Sequence, residues 1–275
     1  MNRTSVLLPP NSLAARRRRV LGVVFRDFVA LRRNPPRMVE VVFWPTIEVV
    51  QWGLVSLFLQ SHRVPTAMAL LLGAVLLWQV LQRSQAELSL AFLEDVWSRN
   101  LLNVFVTPLS TSEYLTGLLV VGTLKTATST ALMATLAFAL YGFGLVSIGP
   151  ALVPFMAVLM VMAWALGIVA MATVIRFGAS VQTIAWMLSF VFLPFAAVFY
   201  PLSVLPGPVQ AVSHAVPASY VFEGMRAVLT GGSPSWSGLA VAAVLDVVYV
   251  AVALFYLGYA LRQARQHGRL SRFAE

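Results

Sequence analysis

The chain has 275 residues, of which 59% are hydrophobic and 11% are charged, and its mean hydropathy is +0.83. A chain this apolar cannot bury its surface in a core of its own, so the composition excludes an ordinary soluble protein and indicates an integral membrane protein. It contains no cysteine, which excludes disulfides, thiolate metal sites and cysteine nucleophiles, and its three histidines are scattered.

The first predicted element is an amphipathic helix within residues 12–37. Basic residues fill most of its polar side, and Pro35-Pro36 should stop it. Its apolar residues recur at helical spacing: Leu21, Val24, Phe25, Phe28 and Leu31. We expect an interfacial helix whose arginines contact anionic lipid headgroups. The alternative is a basic tail that only sets the topology.

Apolar runs long enough to cross a bilayer, which takes about 20 residues, follow at 39–59, 66–92, 113–140, 151–175, 181–199 and 238–261. A further stretch, 205–229, contains three prolines and is predicted to be a re-entrant helical element. The predicted fold class is therefore all-α: a polytopic membrane protein with six transmembrane helices, the N-terminal interfacial helix, and the re-entrant element before the last span. Residues 1–275 form one predicted domain.

The net charge of +9 has a clear distribution along the chain. Arginines cluster before the first span and after the last, whereas the loops that would lie outside carry few of them. The positive-inside rule then places both termini in the cytoplasm of a plasma (inner) membrane protein. Topology and lipid headgroups account for the basic residues, so we expect no nucleic-acid partner.

The segment 94–110 between the second and third spans carries the most specific local pattern. Glu94 and Asp95 suit the N-terminal turn of a short helix, and Thr107-Pro108 should end it. The sequence from Ser110 to Glu113 has the pattern of a cap for the next helix. A short helix held between two long spans can transmit a push to both of them.

This region carries a resemblance to a known family. The stretch Leu101-Leu102-Asn103-Val104-Phe105-Val106-Thr107-Pro108-Leu109-Ser110, with Phe43-Trp44-Pro45-Thr46 in the first span, resembles the permease subunit of type-2 ABC transporters. That group includes exporters of drugs, polysaccharides and lipo-oligosaccharides, and the similarity in size, spans and topology covers nearly the whole chain. Many of those relatives have a glycine where this chain has Ser98 or Arg99.

The resemblance implies a half-transporter that pairs with a second copy, as a homodimer, and docks separate cytoplasmic ATPase subunits. ATP and Mg would bind in those subunits and no cofactor in this chain, which contains no G-x-x-x-x-G-K-[ST] motif, catalytic residue or metal site. The segment 94–110 would be the coupling segment that contacts the ATPase, through Glu94, Asp95, Trp97, Arg99, Leu101, Leu102 and Phe105. The alternative is an ordinary loop followed by a capped helix.

Polar and aromatic residues within the spans are candidates for the translocation path or its gate, because charges in a membrane are costly. The candidates are Glu48, Gln51, Arg83, Glu87, Phe195, Phe199, Glu223 and Arg226. Glu48 either lines the path or belongs to a buried ion pair. Lys125 and Asp246 are single charges in apolar company, and either is a possible partner for Glu48 or for the other.

Three of these sets have a second interpretation. Glu223 and Arg226 stand three residues apart and can pair with each other to stabilise the re-entrant element. Arg83 and Glu87 stand four residues apart and can pair, either in a helix end that emerges into the cytoplasm or in a vestibule. Phe195 and Phe199 belong to a gate or to an ordinary aromatic belt. Pro194, beside them, should kink or unwind its helix.

Two other functions remain open at this stage. An ion-gradient-driven secondary transporter would require a repeat and an ion site at mid-membrane, but no inverted repeat is found. A membrane enzyme would require a catalytic motif, and H-E-x-x-H and G-x-S-x-G are both absent. An ATP-driven exporter of an amphipathic, drug-like or lipid-linked or polysaccharide substrate therefore accounts best for the sequence.

Overall fold

A computed structural model describes residues 12–62, 66–100 and 107–266. In that part of the chain every regular element is helical, as predicted. The α-helices are α1 Leu13–Arg32, α2 Pro35–Ser61, α3 Ala67–Trp97, α4 Thr111–Tyr141, α5 Leu152–Phe177, α6 Ile184–Phe192, α7 Gly207–Ser213, α8 Pro217–Leu229 and α9 Trp236–Gln266. Short 3-10 segments occur at Leu145–Ala151, Ala179–Val181 and Leu202–Val204.

Four stretches within the described residues are long and apolar enough to cross a membrane: Val42–Ser61, Thr111–Tyr141, Leu145–Phe177 and Trp236–Ala264. They correspond to four of the six predicted spans, so the chain is a multi-pass membrane protein. Residues of the second predicted span form the 31-residue helix α3, whose second half contains several polar residues. The prediction of six spans is therefore supported in part.

The predicted span 181–199 differs from a plain helix. Only Ile184–Phe192 is α-helical, and nine residues rise about 14 Å, less than half of a hydrocarbon core of about 30 Å. Turns continue from there to Tyr200. Pro194 stands two residues past the helix end, so the unwinding predicted for it is confirmed: proline has no N–H to continue the ladder and clashes with the preceding turn.

The interrupted stretch 205–229 forms two short helices, α7 and α8. Each begins with a proline in its first turn, Pro208 and Pro217, where the missing N–H costs nothing. The helical breaks predicted from the prolines are therefore confirmed, whereas the position of this element in the membrane stays a prediction.

Helices α3 and α5 occupy the centre of the bundle. Helix α3 contacts α2, α4, α5, α6 and α8, and α9 packs along α5. The two central helices approach closely at Gly167 of α5, where an added Cβ would lie 2.8 Å from Leu88 Cδ2 of α3. The small residue thus lets α5 approach α3.

One end of the bundle, called here the α1 end, gathers the C-terminal turns of α3, α5 and α9 and the first turn of α4. Val23 of α1, Tyr114 of α4, Ile175 of α5 and Ala264 of α9 belong to one buried cluster there. The opposite end, called the far end, holds α7, α8 and the starts of α3, α5 and α9. Gly73 of α3 faces Met225 and Leu229 of α8 at that end.

Helix α1 is amphipathic, as predicted, and its two faces have different surroundings. Its apolar stripe is open to the surroundings, with Leu21 52%, Phe25 70% and Phe28 62% exposed. The opposite face packs on the protein itself, where Val23 and Asp27 are buried and Val23 fills the space left by Gly117 of α4. Part of the polar face expected to contact lipid headgroups therefore contacts the bundle instead.

Candidate functional site

The acids that were predicted to open a short helix lie elsewhere: Glu94 and Asp95 belong to the last turn of α3. Acids at a helix C-terminus interact unfavourably with the helix dipole. At Asp95, hydrogen bonds from basic and hydroxyl side chains compensate for this. Arg99 follows with φ +54°, the left-handed conformation that glycine adopts most easily. Leu101, Leu102 and Phe105 lie outside the described residues.

Asp95 joins three elements at the exit of α3. Its Oδ2 accepts hydrogen bonds from Arg26 Nη2 of α1 at 2.8 Å and from Tyr114 Oη of α4 at 2.7 Å. Its Oδ1 accepts from Asn100 Nδ2 at 3.2 Å, and its backbone oxygen accepts from Asn100 N at 2.9 Å. Only 6% of Asp95 is exposed, so this carboxylate fixes the geometry of the turn from inside.

The start of α4 confirms the predicted cap. Ser110 Oγ accepts from Glu113 N at 3.2 Å, and Glu113 Oε2 accepts from Ser110 N at 2.9 Å, which is a complete capping box. Arg19 of α1 donates to both Glu113 oxygens, at 2.6 and 3.0 Å. This bond raises the pKa of the Arg19 guanidinium above its ordinary value. Helix α1 thus contacts residues near both ends of the segment 94–110.

A third ionic contact lies deeper. Lys125 Nζ of α4 is 2.8 Å from Asp27 Oδ2 of α1 and 3.6 Å from Glu87 Oε2 of α3. All three side chains are at least 90% buried. The partner of Lys125, which the sequence left open between Glu48 and Asp246, is therefore neither of these.

At the α1 end, the exit of α3 exposes Trp97, Ser98 and Arg99. Trp97 is 49% exposed, and its indole Nε1 donates to Gln182 Oε1, in the turn between α5 and α6, at 2.9 Å. The tryptophan therefore presents one ring face outward while the hydrogen bond fixes its orientation. Beside it, Arg176 packs over Phe177 and Tyr259.

The predicted path residues fall into two groups. The first lies along α2 and α3: Glu48 is half-buried and interacts electrostatically with Arg83, and Gln51 is exposed. Phe199 stacks on Trp52 of α2 with ring centroids 4.8 Å apart. Phe195, four residues before Phe199 in the sequence, is half-buried. Glu87, at the Lys125 cluster, lies apart from this group.

The second group is Glu223 and Arg226 at the far end, and the pairing predicted for them is observed at 2.9 Å. Arg226 Nη1 also donates to the carbonyls of Ala197 at 2.8 Å and Val198 at 3.3 Å, while Glu223 Oε1 accepts from Leu202 N at 2.7 Å. Ala197 has φ +52°. The pair therefore binds the irregular segment after α6 to α8.

Sequence reasoning missed the partners of α1. Arg19, Val23, Arg26 and Asp27 recur at spacings of three and four residues, so their helical spacing could have indicated a second contact face. The identity of the partners could not be found in this way, because they lie 69 to 98 residues further along the chain. In the described part of the chain, no group of three or more His, Cys, Asp or Glu residues is placed to hold a metal ion.

A comparison with models of protein families gives a match. The family model described as ABC-2 type transporter matches residues 20–230, which include most of α1, the exit of α3, the capped start of α4 and the helices up to α8. A search of curated proteins finds no match. A model match over most of the chain, together with several membrane-spanning helices, shows that this protein belongs to the ABC-2 type transporter family and is an ABC transporter permease.

Proposed function

We propose that this chain is the membrane-spanning permease subunit of an ATP-driven exporter. It forms the translocation path as a homodimer and docks separate cytoplasmic ATPase subunits that hold ATP and Mg. The observation that carries the proposal is Asp95, which joins α1, α3 and α4 beneath the exposed Trp97 and Arg99. A push on that surface reaches three helices at once.

In this proposal the α1 end faces the cytoplasm of an inner-membrane protein. Helices α2, α3, α4, α5 and α9 and the segment 184–200 make six crossings, which keeps both termini inside, and α7–α8 is a re-entrant element on the outer side. Contacts at opposite ends of the bundle support a crossing by 184–200: Trp97 bonds Gln182 at the α1 end, and Arg226 bonds Ala197 at the far end.

Coupling follows from the position of α3. Closure of the ATPase pair displaces the segment 94–110, and that displacement tilts α3 and α4. Helix α3 contacts five other helices, so its tilt changes the surface that one copy presents to the other. Asp95 acts as a positioning residue that holds α1, α3 and α4 together. The residues that contact the ATPase directly are Trp97, Arg99, Leu101, Leu102 and Phe105.

The substrate is amphipathic, drug-like or a lipid-linked or polysaccharide compound. The polar candidates for its path on α2 and α3 are few: Glu48, Gln51 and Arg83, with Phe195 and Phe199 as an aromatic gate beside them. So apolar a surface offers a small hydrophilic solute few hydrogen bonds, whereas an amphipathic molecule keeps its apolar part against the helices.

The test is a mild-detergent pull-down of the tagged chain from its native membrane, with ATP hydrolysis assayed on the eluate. We expect Trp97→Ala to reduce the retained ATPase several-fold, because it removes the exposed ring from the docking surface. The matched control is Trp186→Ala, which removes an equally exposed tryptophan, 47% against 49%, from α6.

Trp97→Phe separates the ring from its hydrogen bond to Gln182, and we expect it to retain most of the ATPase. Equal retention by Trp97→Ala and Trp186→Ala would exclude this docking surface. A wild-type chain that emerges without any ATPase would overturn the proposed function.

A further inference from the structure

The three ionic contacts of α1 differ in their access to water. In the pairs Arg19–Glu113 and Arg26–Asp95 the arginine side chains are 22% and 36% exposed. In the cluster of Asp27, Lys125 and Glu87, called here the Lys125 clamp, the three side chains are 6%, 8% and 10% exposed. The clamp is the least exposed of the three contacts, so water and salt screen it least.

A buried ion cluster is a poor source of stability, because desolvation of the charges offsets their attraction and apolar residues of similar size would do as well. Its distinctive property is geometry: an ammonium group between two carboxylates is satisfied in one arrangement of the three helices and left unpaired in others. Apolar contacts such as Val23 on Gly117 lack this selectivity, since a rotated α1 could bury other apolar side chains instead.

The orientation of α1 has a consequence at the membrane. The clamp binds the face that contains Asp27, and it thereby holds the opposite stripe of Leu21, Phe25 and Phe28 outward. Glu87 and Lys125 belong to the two helices that border the coupling segment. Lys125 therefore contacts α1 directly through Asp27, and it connects Glu87 of α3 to the same cluster.

We propose that Lys125 is a positioning residue that locks α1 in one orientation on α3 and α4, so that the amphipathic helix and both borders of the coupling segment move as one rigid unit. Coupling by this unit rests on the proposed function, whereas the locked orientation of α1 does not. Asp27 and Glu87 supply the two carboxylates that make the lock selective.

The first test measures the position of α1 without any partner. The chain contains no cysteine, so Phe25→Cys on α1 and Val120→Cys on α4, both exposed, place two spin labels in otherwise unlabelled protein in lipid nanodiscs. An excess of unlabelled chain restricts the measurement to distances within one copy. We expect one narrow distance distribution in the parent protein and a distribution at least twice as broad with Lys125→Met.

Two further variants separate position from folding. Lys125→Arg keeps the charge and should retain the narrow distribution. The triple variant Asp27→Asn, Glu87→Gln, Lys125→Met removes every charge of the clamp, so it should fold with a near-parental melting temperature and still show the broad distribution. Arg17→Met removes an exposed charge from α1 and serves as the matched control, for which no change is expected.

The second test measures substrate transported per ATP hydrolysed in the reconstituted complex. We expect the neutral triple variant to lose at least half of this ratio, whereas Lys125→Arg and Arg17→Met keep it. Unchanged distances in Lys125→Met and the triple variant would overturn the proposal, and so would broadened distances with an unchanged ratio. A parent chain without an associated ATPase would count against the proposed function alone, since the distance measurement still decides whether the clamp orients α1.

Discussion

At the helix contacts of this protein, the size of a single side chain matters as well as its charge. Gly167 of α5 is the clearest case, because a Cβ there would lie 2.8 Å from Leu88 Cδ2 and 3.1 Å from Leu88 Cβ. Leu88 is fully buried, so it has little room to move away. The glycine therefore sets the distance between the two central helices, and with it the packing of the bundle.

Gly167→Ala should lower the free energy of unfolding by about 1–3 kcal/mol, the usual cost of overpacking a core. The measurement is the melting temperature of the purified chain in detergent. Gly122→Ala is the matched control: it is also a buried helical glycine, but its added Cβ would meet Glu87 and Leu88 at an ordinary 3.7 Å. Leu88→Ala combined with Gly167→Ala should recover part of the loss, and an equal effect of both glycine variants would contradict this account.

At the scale of elements, the segment after α6 is held by side chains rather than by regular structure. Turns replace the helix from residue 193 to 200, so several backbone groups there need partners outside a helical ladder. Arg226 and Glu223 supply them, through the carbonyls of Ala197 and Val198 and the amide of Leu202. One ion pair on α8 thus fixes the irregular segment after α6 against that helix.

Arg226→Gln should loosen this connection, because hydrogen bonds to a charged group contribute about 1.5–3 kcal/mol. We expect the amide of Leu202 and its neighbours to exchange with deuterium at least ten times faster. Glu223→Gln keeps an oxygen acceptor for Leu202 N and should have a smaller effect. Arg262→Gln, on an exposed position of α9, is the control, and exchange equal to that of this control would refute the role of Arg226.

At the scale of the whole molecule, the outer faces are apolar. Phe255 of α9 is 73% exposed, Val247 69% and Val244 65%, and Phe58 of α2 is 61% exposed. A soluble monomer does not present so large an apolar surface to water. Lipid, or apolar protein surface within the membrane, is the environment that such helices require.

The proposed orientation can be tested with exposed positions at the two ends, because the natural chain offers no competing thiol. Val146 lies at the far end and is 80% exposed, and it is replaced in the variant Val146→Cys. The variants Arg17→Cys and Ser98→Cys change exposed residues at the α1 end. A membrane-impermeant maleimide added to intact cells should label Val146→Cys alone, with the other two labelled only after lysis. The reverse pattern would invert the proposed topology.

The sequence by itself determined the properties that depend on composition and local order. Hydropathy identified a membrane protein, Ser110 and Glu113 predicted the capping box, and Pro194 predicted the break after α6. These features could be predicted because each follows from a few neighbouring residues and the backbone conformations they allow. The resemblance around Thr107-Pro108 likewise indicated the family that the model match confirms.

Only the tertiary structure decided which charges from distant parts of the chain meet. It placed Glu94 and Asp95 at the end of α3 rather than at the start of another helix, and it paired Lys125 with Asp27 and Glu87. Helical spacing shows which residues share a face, but it contains no information on which face of another helix lies opposite. Partners separated by tens of residues are chosen when all helices pack together, because each buried charge then requires a partner within a few ångströms.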